Sequence, residues 1–99
     1  MSEMHRQGDV LFTRIAELPE GLTQRKSQVI VEGEATGHHH SLVAGRVLED
    51  AQGYLFLEVL KATQVVHQEH HPISLEPGCY RVTRQREYLA PDIDRMVLD

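Results

Sequence analysis

Turn residues punctuate this chain too often for helices to fit. Gly8-Asp9, Pro19-Glu20-Gly21, Gly33 with Gly37, Asp50-Ala51-Gln52-Gly53 and Pro77-Gly78 interrupt it, with turn signals at roughly 8–12-residue spacing, the rhythm of a sandwich or barrel. Between them lie runs rich in Val, Ile, Leu and Thr, and no window carries a 3.6-residue apolar period. Strands are predicted over 8–15, 28–32, 41–49, 54–60, 61–67 and 79–88, with short extended pieces at 73–75 and 95–98. The Tyr54–Leu60 run is nearly all apolar, which predicts burial on both faces or a place at an interface. The expected fold is all-β: one domain over residues 1–99, a small barrel or half-barrel of about six or seven mostly antiparallel strands. Residues 1–7 and 92–99 are read as flexible or edge segments.

A chain of 99 residues holds one core. With 5% aromatic residues and no Trp, that core must be built from Val, Leu and Ile. The shortage of large rings favours help from a metal or from homo-oligomerisation. The net charge of −5 with neutral histidines repels phosphate backbones, so nucleic acid is a disfavoured partner. The single Cys79 allows no internal disulfide and reads as a small apolar core residue. The polar N-terminal stretch lacks the apolar segment of a signal peptide, and no apolar run approaches the ~20 residues needed to cross a bilayer. A cytoplasmic protein without membrane contact is expected.

Six of the seven histidines fall in two clusters, His38-His39-His40 and His67 with His70-His71. Imidazole is the commonest metal-binding side chain. If residues 38–42 are extended, His38 and His40 share one face and His39 points to the other. In the second cluster a strand reading groups His67, Glu69 and His71, whereas a turn reading groups His67 with His70 or His71. If the strands flanking the clusters are neighbours, His38, His40, His67 and one of His70 or His71 supply the four ligands that zinc prefers. Nickel, iron and copper also suit imidazole. Glu34 and Glu69 are candidates for orienting an imidazole N–H, or for a general base if the site is catalytic. Without metal, the same clusters would be solvent-exposed side chains, interface contacts or a pH-sensitive group.

In the last long strand Tyr80, Val82, Arg84, Arg86 and Tyr88 share one face. Arg84 and Arg86 are candidates for binding a carboxylate or phosphate, or for pairing with nearby acidic residues.

The combination of His-x-His with a later histidine cluster on a β scaffold resembles the cupin arrangement. Val43-Ala44-Gly45 stands where the first cupin motif has its Glu, and Pro77-Gly78 follows the histidines instead of preceding one. Cupin ligand roles are therefore not carried over. The motifs Gly-Glu-x-Thr-Gly-His-x-His at 33–40 and His-x-Glu-His-x-Pro-Ile at 67–73, with Arg-Gln-Arg-Glu-Tyr at 84–88, are similar to those of a family of small uncharacterised bacterial proteins. That similarity implies that these stretches act together, and it names no activity.

The expectation is a small β protein that holds a divalent transition metal between the two clusters, mainly to stabilise the fold or an oligomer. A metal-dependent enzyme with three His ligands and an open water position, and a metal-free adaptor that binds a protein partner, are the alternatives.

Overall fold

Residues 4–32 and 37–84 are described by a computed structural model of the chain. They form ten strands: β1 (Met4–Gln7), β2 (Val10–Ile15), β3 (Thr23–Gln24), β4 (Val29–Glu32), β5 (His39–Leu42), β6 (Arg46–Glu49), β7 (Leu55–Val59), β8 (Thr63–Val66), β9 (Ile73–Leu75) and β10 (Gly78–Arg84). No helix occurs among the described residues. The larger sheet has the order β1-β2-β10-β7-β6-β3 and the smaller one β4-β5-β8-β9. All pairings are antiparallel. The all-β expectation holds, as two sheets packed on a common core.

That core follows from period-2 alternation. Val10 and Phe12 of β2, Tyr80 and Val82 of β10, Leu57 and Val59 of β7, and Val47 of β6 face Ile30, Leu42, Val65 and Leu75 of the smaller sheet. Burying each such side chain contributes roughly 1.5–3 kcal/mol. The strand β7 lies in the interior of its sheet, and Phe56 on its reverse face is also buried, opposite Leu48. Its apolarity is therefore largely used within the chain. The buried ring of Tyr80 has its hydroxyl donating to the Glu76 carbonyl at 2.6 Å, so its burial leaves no stranded polar atom.

Three differences from the sequence reading account for the larger number of strands. The first is β1, whose inward positions are His5 and Gln7, so no hydrophobic alternation announces it. The second is β3, only two residues long. The third is the predicted strand over 41–49, which is two strands in different sheets. The chain turns between them at Gly45, with φ of 118°. A Cβ there would come within 2.8 Å of the Glu58 carbonyl oxygen, so only glycine lets the chain cross so close to β7. Val43 and Ala44, both compatible with a strand, hide that break in the sequence. Residues 85–88 of the predicted last strand, and the predicted 95–98 strand, lie outside the described residues.

Candidate histidine site

The geometry begins with register. Ser41 of β5 stands opposite Val66 of β8, and Leu42 opposite Val65. Continuing the same antiparallel register beyond the ladder sets His40 against His67, His39 against Gln68 and His38 against Glu69. The side chains obey it. The His40 and His67 rings are 4.4 Å apart between centroids, the His39 amide donates to Gln68 Oε1 at 2.8 Å, and His38 Nδ1 lies 3.3 Å from Glu69 Oε1. The two motifs meet because their strands are neighbours and their register leaves them at the same end.

His67 is the centre of the cluster. Its ring is 4.4 Å from that of His40, 4.6 Å from that of His70 and 5.7 Å from that of His38. His40 and His70 are stacked at 6.1 Å. The structure thus brings together His38, His40, His67 and His70. His39 turns to the other face of β5, where its Nδ1 meets Ser41 Oγ at 2.7 Å. Of the alternatives His70 and His71, His70 joins the rings. His71 is exposed and contributes its carbonyl oxygen, as an acceptor for Gln7. Glu34 and Arg86 lie outside the described residues. Among the described residues, no three or more His, Cys, Asp or Glu side chains are disposed to hold a metal ion. The rings meet by edges and faces, not by converging nitrogens.

Gln7, from the larger sheet, orders the deepest ring. It is buried, and its Nε2 donates to the carbonyls of Val65 at 3.0 Å and His71 at 2.9 Å. Two carbonyl acceptors fix which end of the amide carries hydrogen, so Oε1 must face His40 Nδ1, 2.7 Å away. His40 Nδ1 is therefore the protonated nitrogen, and the lone pair lies on Nε2. The same logic gives His67 the opposite tautomer. The Glu69 amide donates to His67 Nδ1 at 3.0 Å, which places the ring proton on Nε2. In His38 the carboxylate of Glu69 draws the proton to Nδ1.

Burial lowers the His40 pKa to about 4, helped by the charges of His67, His70 and Arg84 and opposed by Asp9. The His67 pKa is lowered too, by burial and then by His70 and His38, against a raising contribution from Glu69. Neutral imidazole is thus the resting state of the inner pair near neutrality, the form that ligates metals and accepts protons.

Gln7 was not legible as a site residue. Its partners lie 33, 58 and 64 positions away, and nothing local distinguishes it from a surface glutamine. Gly8 gave a partial signal through its turn. Its φ is 62°, the first-position glycine of a two-residue hairpin of the II′ kind, and a Cβ there would lie 2.7 Å from His70 Nε2.

Fold and site together define a small two-sheet β protein with a histidine cluster, half-buried, beside the inner face of its smaller sheet. Residues 6–85 match the family described as a domain of unknown function, DUF8820, and the chain belongs to that family. No curated protein and no solved structure matches it. No helix among the described residues is long and apolar enough to cross a membrane.

Proposed function

We propose that the chain binds one divalent transition ion, zinc first among the candidates, through His38, His40, His67 and His70. The observation that carries this reading is the packing of three other imidazoles around His67. Two supports reinforce it: Gln7 directs the His40 lone pair to Nε2, and Glu69 stands as the carboxylate partner of His38. All four rings come from the end of β5 and the segment joining β8 to β9. An ion held among them would clamp that segment to β5, a stabilising role. The sequence motifs at 33–40 and 67–73 are on this reading the two halves of the family's site.

Coordination requires the four rings to rotate until their nitrogens converge. It also exchanges one hydrogen bond. A metal on either nitrogen of His67 ends the acceptance of the Glu69 amide proton by Nδ1, because a metal on Nε2 drives the ring proton to Nδ1. The test is zinc titration of chain purified without a metal-affinity step, followed calorimetrically and by amide chemical shifts. About one equivalent should bind, with a large shift at the Glu69 amide. His67→Ala should weaken binding at least on the order of tenfold, while His71→Ala should not. Absence of zinc uptake near neutral pH, or equal effects of the two substitutions, overturns the reading.

A further inference from the structure

Beside the histidine cluster the two sheets part around a pocket of about 240 Å³ lined by Val31, Tyr54, Leu55, Val82 and Arg84, among others. Its position relative to the cluster follows from strand pairing. Val31 of β4 stands directly opposite His40 of β5, so both side chains project from the same face of the smaller sheet. From the larger sheet, Val82 stands opposite Leu55. Arg84 follows Tyr80 and Val82 on the core-facing row of β10, and both of those are buried. Arg84 therefore carries a cation onto a row that is otherwise apolar. Its charge is felt at His40, where it opposes protonation.

We propose that this pocket binds a small organic carboxylate, its charged end on Arg84 and its apolar body against Val31, Leu55 and Val82. Two features choose this ligand class. A guanidinium pairs with a carboxylate through two parallel hydrogen bonds, and the aliphatic side chains of Val31, Leu55 and Val82, beside Tyr54 and Thr83 in the lining, favour a ligand with an apolar body over a bare inorganic anion. The volume lies below the roughly 300–1,000 Å³ of pockets for drug-sized ligands, so the ligand is small. The proposal does not depend on a metal, because the cation that selects the anion is supplied by β10.

Isovalerate and its neutral isostere isovaleramide are suitable probes, titrated calorimetrically into the full chain in the presence of a chelator. Isovalerate should bind and shift the methyl resonances of Val31, Leu55 and Val82, with isovaleramide weaker by at least about tenfold. Arg84→Met should weaken isovalerate by a similar factor, and Arg84→Lys should restore part of it. If Arg84→Met does not fold, the acid–amide comparison and the methyl shifts of the unaltered chain decide the matter. Equal binding of acid and amide, unchanged affinity in a folded Arg84→Met, absence of binding, or methyl shifts confined to other residues overturns the proposal. The chelator separates this result from the zinc titration, so either proposal can fail alone.

Discussion

Gln7 Oε1 accepts the Nδ1 proton of His40 at 2.7 Å, across 33 positions of sequence and between two different sheets. The same amide spans the Val65 and His71 carbonyls, so one buried side chain ties β1 to β5, to β8 and to the segment that carries His70. Its consequences can be measured.

Gln7→Leu keeps a comparable volume and removes all three hydrogen bonds. It leaves two carbonyls and the His40 N–H without their partner in a buried place. The expected destabilisation is about 2–4 kcal/mol, read from urea unfolding at pH 7. Zinc affinity should fall by roughly 10–100-fold, because His40 is no longer held in one tautomer. Gln7→Glu should not recover the stability at pH 7, since a carboxylate accepts from His40 but sets its second oxygen against the Val65 and His71 carbonyl oxygens in a buried place.

The pH dependence of metal-free stability follows from His40. Its folded pKa of about 4 lies below the unfolded value of 6.5, so the unfolded chain binds more protons between those values. Stability is therefore complete above about pH 6.5 and declines as the pH falls toward 4. Between pH 6.5 and 5, where carboxylates are still mostly ionised, the loss attributable to His40 should be about 1.5 kcal/mol. The lowered pKa of His67 acts in the same direction. Urea midpoints measured at half-unit pH intervals should show this slope, and His40→Phe should flatten it. A flat profile in the unaltered chain would contradict the burial of His40 as a neutral ring.

Gly8→Ala tests the turn beneath His70. The backbone there has φ of 62° in a II′ turn, a glycine conformation that an alanine adopts at a cost of roughly 1–3 kcal/mol. The new methyl would also meet the His70 ring. That ring is exposed and can swing aside, so the stability loss should stay near the backbone cost. The larger effect should fall on the ring resonances of His70 and on zinc affinity. An unchanged His70 environment would show that the turn does not position this imidazole.

Much of the architecture was legible in the amino-acid sequence. Runs of β-forming residues between turn signals announced the strands at Val10–Ile15, Leu55–Val59 and Gly78–Arg84, because strand propensity and turn chemistry are properties of the local chain. The sharing of one face by His38 and His40, with His39 opposed, follows from side-chain direction along a strand, which depends only on local backbone geometry, as does the placing of Tyr80, Val82 and Arg84 on one side of β10. The break at Gly45 was not legible, because the crowding that requires glycine comes from the carbonyl of Glu58, which is distant in sequence.

The amino-acid order alone determined the β class, the main strands and the two imidazole groups, since these rest on propensity, periodicity and composition. Only the tertiary structure decided that β5 and β8 are neighbours, that their register sets His40 against His67, that His70 rather than His71 joins the rings, and that a glutamine from the other sheet orients His40. Strand pairing is a contest among non-local alternatives with similar local energies, settled by how the apolar faces of Leu42, Val65 and Leu75 close over the larger sheet. The hydrogen bonds that define the site form only after that closure.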